Sequence, residues 1–182
     1  MNDSEAFVDE RLRAFGFRLE PFSKREIRAR KTPDRRVYRG RELVFLLEIK
    51  EIAEDNWLGG ARPDPVFNRL TDDIHEAVKQ FDSVNPNRKV ANVLAFVNRD
   101  PMCGSEDLRG VLTGSALTSS GKRFRIYDKY ALGRIREERF RVDLYLWLDE
   151  SGVFQVLVND ADRRHSDRLR VEFEAIVTQL AG

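Results

Sequence analysis

An α/β fold with a mixed central sheet is the class this sequence predicts, and three features predict it. Val44 to Ile52 is a nearly continuous apolar run of the kind a strand buried on both faces needs, and Val90 to Val97 is a second. Segments with apolar residues at helical spacing alternate with these runs: Phe7, Val8, Leu12 and Phe15 before the first, then Leu70, Ile74, Ala77, Val78 and Phe81 between the two. Near the end, Arg141 to Leu148 and Val153 to Val158 flank the turn-forming Glu150-Ser151-Gly152 and read as an antiparallel hairpin. Parallel crossovers and hairpins in one chain call for a mixed sheet with helices packed on it.

Each element has its own local signal. Residues 4 to 15 form an amphipathic first helix with Ser4 or Asp3 as cap and Gly16 as stop. Phe17 to Phe22 suits a strand, whereas Ile27 to Lys31 is too charged to assign. Arg35 to Tyr38 and Glu42 to Lys50 read as a hairpin turning around Arg39-Gly40-Arg41, and counting back across that turn brings Asp34 level with Phe45 to Leu47. Residues 53 to 65 are rich in Gly and Pro and read as a loop. Beyond the second apolar run, residues 105 to 112 and 128 to 136 suit short helices, and residues 167 to 180 a closing helix. A chain of 182 residues fits one domain, 1 to 182, with a core over about 4 to 97 and a C-terminal elaboration over 98 to 182.

Composition narrows the class. Hydrophobic residues at 41% and 12 Phe support a packed core and argue against disorder. Cys103 is the one cysteine, which rules out an intrachain disulfide and cysteine-rich zinc frameworks, so a cytoplasmic setting is expected. No apolar run reaches the ~20 residues of a membrane span, and MNDSEAFVDE lacks the pattern of a signal peptide, so no membrane partner is expected. The net charge of +1 conceals segregation: residues 11 to 41 hold twelve Lys or Arg against three acids, while residues 42 to 76 hold nine acids against three bases. Such a layout sets phosphate-binding charge beside acids able to hold a cation.

The apolar run VFLLEIKEI is interrupted by Glu48 and Lys50. Strand side chains alternate with period two, so these two charges share one face while Leu47 and Ile49 take the other. Fifteen residues separate Asp34 from Lys50, and the hairpin lets Asp34 approach Glu48 from the neighbouring strand.

Pro33-Asp34 followed by Glu48-Ile49-Lys50 resembles the motif of the PD-(D/E)XK nuclease superfamily, nearest in pattern to its Holliday-junction-resolvase-like members. The resemblance covers residues 4 to 97 and implies a restriction-endonuclease-like αβββαβ core. It also implies a Mg2+-dependent endonuclease acting on DNA, duplex or branched, with Mn2+ as a substitute ion. Asp34 and Glu48 then supply carboxylates to a hard cation, which prefers oxygen ligands. In the family the Ile49 carbonyl is the usual third ligand, and an acid of the first helix, here Glu5 with Asp9 or Glu10 as alternatives, completes the shell. Lys50 stands beside the attacking water and stabilises developing charge. Gln80 and Lys79, on the helix after the loop, match positions that many family members turn toward the scissile phosphate.

Pro63-Asp64 repeats the dipeptide but follows the ExK strand and cannot be its hairpin partner. Arg30, Lys31, Arg35 and Arg36, with Lys79, are the expected contacts to DNA phosphates. Trp57 is either a stacking residue or a cover for the core edge, and neither His75 nor His165 receives a role. Tyr145, Trp147 and Phe154 on the last hairpin could form an apolar face for a homodimer. The alternative function is a catalytically inactive subunit of the same fold that binds nucleic acid or protein.

Overall fold

The computed structural model describes residues 3–54, 65–117, 120–125, 135, 137–149, 154–158 and 165–180. In chain order the elements are α1 (Asp3–Ala14), β1 (Arg18–Pro21), α2 (Lys24–Ala29), β2 (Arg35–Arg39), β3 (Glu42–Ile52), α3 (Pro65–Val84) and β4 (Ala91–Asn98). They continue with α4 (Ser105–Thr113), β5 (Ser115–Leu117), β6 (Arg123–Arg125), a single 3-10 turn at Glu138–Phe140, β7 (Leu144–Asp149), β8 (Phe154–Val158) and α5 (Ser166–Leu180). The α/β class and the mixed sheet expected from the sequence are present.

Six strands form one sheet in the order β1-β2-β3-β4-β7-β8, while β5 and β6 pair separately. The β1-β2, β2-β3 and β7-β8 pairs are antiparallel; β3-β4 and β4-β7 are parallel. All eight residues of β4 are buried, as expected of a strand with parallel neighbours on both sides and helices on both faces. The C-terminal hairpin is therefore part of the main sheet, with β7 beside the central strand.

Two apolar layers sandwich that sheet. On one face Val8 and Leu12 of α1 and Leu169 and Phe173 of α5 pack on Val37, Phe45, Leu47 and Val93. Phe17, Phe45 and Phe173 meet there with ring centroids 5.5 to 5.9 Å apart. On the other face Leu70, Ile74, Ala77 and Phe81 of α3, with Leu108 and Val111 of α4, cover Leu46, Leu94, Phe96, Tyr145 and Trp147. Tyr145 and Trp147 are 1% and 2% exposed, so these two residues of the expected homodimer face are core. Alternation along β7 aims both rings at α3 and α4.

The stretch Ile27 to Lys31, too charged to assign from sequence, overlaps the end of α2 (Lys24–Ala29), a helix that buries no side chain. Its start is fixed by polar contacts alone: Ser23 Oγ accepts from the Glu26 N–H at 3.3 Å, and the Ser23 N–H donates to Glu26 Oε2 at 3.0 Å. At the other end of the sheet Asp143 pairs with Arg88 and accepts from the Asn92 N–H at 2.8 Å, tying the starts of β4 and β7 together. No helix among the described residues is long and apolar enough to cross a membrane. Trp57, Pro63-Asp64, the turn at 150–152 and all of the expected helix over 128–136 except Ile135 lie outside the described residues.

Candidate functional site

A β-bulge sets the geometry of the Asp34–Glu48 pair. The turn between β2 and β3 pairs Arg39 with Glu42 and Tyr38 with Leu43, but Val37 then pairs with Phe45, leaving Val44 as the extra residue. Unbroken counting would have set Asp34 opposite Leu47, on the face turned away from Glu48. The bulge advances the register by one, so that Arg35 opposes Leu47 and Asp34 comes level with Glu48. Cross-strand partners share a face, so the two carboxylates meet on the α3 side of the sheet. Asp34 is anchored by the Ile49 N–H, which donates to its Oδ2 at 2.8 Å. A strand residue's N–H and C=O leave along the same edge, so the Ile49 carbonyl lies on the Asp34 edge of β3.

Burial shifts the ionisation of the acids at this site. Glu48 is 2% exposed; its Oε1 lies 3.1 Å from Lys50 Nζ, and its buried Oε2 has no hydrogen-bond partner among the described residues. Burial, then the Asp34 charge, pushes the Glu48 pKa up to about 8 against the pull of Lys50 and Gln80. Burial also raises Asp34; the Ile49 hydrogen bond works against the rise and the charge of Glu5 adds to it. Lys50 reaches across to Glu76 Oε2 at 3.3 Å. Burial disfavours the Lys50 charge, but Glu48 and Glu76 outweigh it and the net shift is upward, so the ammonium is retained.

The α3 face over the site sets Asp73 and Glu76, which sequence reading gave no role, beside the Gln80 that the resemblance had picked out. Asp73, Glu76 and Gln80 recur at i, i+3 and i+7, the spacing of one helical face. Asp73 is raised by burial to about 6, although the charge of Lys50 opposes the shift. Glu76 is lowered by its hydrogen bond to Lys50. Gln80 Nε2 donates to the Thr32 carbonyl at 3.3 Å, which ties α3 to the residues before Asp34, and its buried Oε1 has no partner among the described residues. The spacing was visible in the sequence; that it faced Lys50 was not.

The first helix brings Glu5 and Asp9 to the site's edge, while Glu10 is exposed. Both acids converge on Arg35, which is 6% exposed. Arg35 Nη2 donates to Glu5 at 2.9 Å, Nε to both Asp9 oxygens at 3.1 and 3.2 Å, and Nη1 to the Asp34 main-chain carbonyl at 2.9 Å. Arg35 is thus occupied internally and cannot serve as the expected phosphate contact. Arg36 is half-buried: it pairs with Glu26 and lies over the Phe22 ring, 3.8 Å from its centroid. Arg30, Lys31 and Lys79 are exposed, and the charges of Lys31 and Lys79 reach Glu76 at the rim of the site.

Among the described residues no group of three His, Cys, Asp or Glu side chains converges on one metal position. The donor set at Asp34 and Glu48 nonetheless fits a hard cation such as Mg2+, which keeps several waters and takes only one or two carboxylates. Two neighbouring acids that burial holds above their usual pKa, Glu48 further raised by the Asp34 charge and with one oxygen unpartnered among the described residues, are what such an ion relieves. Comparison with protein-family models, curated proteins and solved structures found no significant match to this chain.

Proposed function

We propose that this protein is a Mg2+-dependent endonuclease of the PD-(D/E)XK type that hydrolyses phosphodiester bonds in DNA, its sheet being the restriction-endonuclease-like core. The observation that carries the reading is the bulge-set meeting of Asp34 and Glu48 beside Lys50, with Glu48 Oε2 buried and unpartnered. Asp34, Glu48 and the Ile49 carbonyl would hold the cation, which lowers the pKa of a bound water and neutralises charge on the phosphate. Glu48 keeps its proton near neutral pH and gives it up when positive charge arrives. The Lys50 ammonium, held by Glu48 and Glu76, is placed to stabilise the charge that builds on the transferring phosphate. Exposed Arg30, Lys31 and Lys79, with Lys24, Arg25 and Arg28 of α2, form the basic surface along which a DNA backbone would run.

The test is cleavage of linear duplex, single-stranded, nicked and four-way-junction DNA with Mg2+ or Mn2+. Cutting of at least one substrate, lost in Lys50→Ala, is expected; no cutting of any of the four sinks the proposal. The absence of a three-carboxylate cluster among the described residues favours the second reading, a catalytically inactive binding subunit. Calorimetric Mn2+ titration of wild type against Glu48→Ala separates the two, since equal binding supports the inactive subunit.

A further inference from the structure

We infer that Arg35 is a positioning residue for the proposed cation site, and that Glu5 serves as its counter-ion, not as a ligand to the cation. This rests on the metal-site reading above. The guanidinium spends four hydrogen bonds on three groups from two elements: Glu5 and Asp9 of α1, and the main-chain carbonyl of Asp34 at the head of β2. Only a planar fork with donors on three nitrogens can do this; a lysine ammonium in the same place is a compact point charge on a flexible stem.

The direction of each bond matters. Asp34 is clamped at both ends, its carboxylate by the Ile49 N–H and its carbonyl by Arg35, at the point where β2 begins and ladder pairing no longer fixes the chain. Its side chain is thereby held level with Glu48. Glu5, the helix acid that the family pattern assigns to the cation, gives Oε2 to Arg35 at 2.9 Å. Left without Arg35, Glu5 and Asp9 would add two more negative charges beside Asp34. A buried ionic cluster of this kind contributes little net stability compared with apolar packing, so its presence next to Asp34 points to placement of that residue.

The test is Mn2+ affinity by titration calorimetry on the full chain, comparing wild type with Arg35→Lys, Asp9→Asn, Glu5→Gln and Glu48→Ala, each first shown to be folded. Arg35→Lys is expected to weaken Mn2+ binding by about tenfold or more, the usual cost of removing a group that orients a ligand. Activity should fall in kcat with KM for DNA little changed. Glu5→Gln, whose amide oxygen still accepts from Arg35, is expected to stay within about threefold of wild type. Should Arg35→Lys not fold, Asp9→Asn replaces it with a weakening of several-fold, because Asp9 accepts from Arg35 on both oxygens and an amide keeps only one acceptor and turns a donor toward the guanidinium. A Glu5→Gln loss as large as that of Glu48→Ala would make Glu5 a ligand and overturn the inference. Wild-type affinity in both Arg35→Lys and Asp9→Asn would overturn it equally, while leaving the metal-site reading intact. No Mn2+ binding by wild type would overturn both.

Discussion

Glu48 should impose a pH dependence on stability that is unusual in sign. Its pKa is raised from 4.5 in the unfolded reference to about 8 in the folded protein, because burial and the Asp34 charge oppose ionisation. The folded state therefore holds a proton that the unfolded state has released throughout this window. The stability associated with protonated Glu48 is fully present below pH 4.5 and is lost as pH rises through 8. At about 1.4 kcal/mol per pH unit the whole displacement amounts to about 5 kcal/mol, an order-of-magnitude figure that Lys50 and Asp34 share. The perturbation is Glu48→Gln, and the assay is urea denaturation of both proteins at half-unit steps from pH 5 to 9 without divalent ions. The variant should gain on wild type by about 1 kcal/mol for each pH unit and level off above pH 8. Saturating Mn2+ should flatten the wild-type curve, since the cation takes the place of the proton. Two curves that run parallel from pH 5 to 9 would refute the buried-charge account of the site.

Two further outcomes follow from the surface and the core. If α2 tracks DNA phosphates, combining Lys24→Gln, Arg25→Gln and Arg28→Gln should reduce the slope of log K against log salt by about 2 to 3, read by fluorescence anisotropy on a duplex; an unchanged slope removes α2 from the interface. Tyr145 carries a buried hydroxyl with no hydrogen-bond partner among the described residues, so Tyr145→Phe should be neutral or stabilising by up to about 1 kcal/mol in urea denaturation. A loss above that size would mean the hydroxyl is bonded.

The strands and long helices were legible because apolar periodicity is a local property: β3, β4 and α3 lie close to where the spacing set them. Asp34, Glu48 and Lys50 were legible as types in a pattern, but the reason they share a face was not. Val44 is as apolar as its neighbours, and nothing in VFLL marks it as the bulged residue; only the pairing of two strands reveals the skipped register. Arg35 and Arg36 read alike in sequence, as two exposed bases next to a motif. Period-two alternation turned Arg35 inward toward α1 acids 26 and 30 residues away, and Arg36 toward Glu26 and Phe22. Long-range ion pairs of this kind have no sequence signature. The C-terminal hairpin was placed correctly as strands, yet Tyr145 and Trp147 were expected on an exposed face, because amphipathic alternation does not say which face will be covered by helices that come earlier in the chain.

The hydrogen bond from the Ile49 amide to Asp34 gives the molecule its own spectroscopic probe. Most strand amides report on a neighbouring backbone carbonyl, whose charge never changes; this one reports on a carboxylate. Its proton resonance should therefore move when Asp34 gains or loses a proton, and should move or broaden when an ion reaches that oxygen. A two-dimensional amide spectrum recorded against pH and against Mg2+ would follow the state of one acid in a chain that has 31 of them.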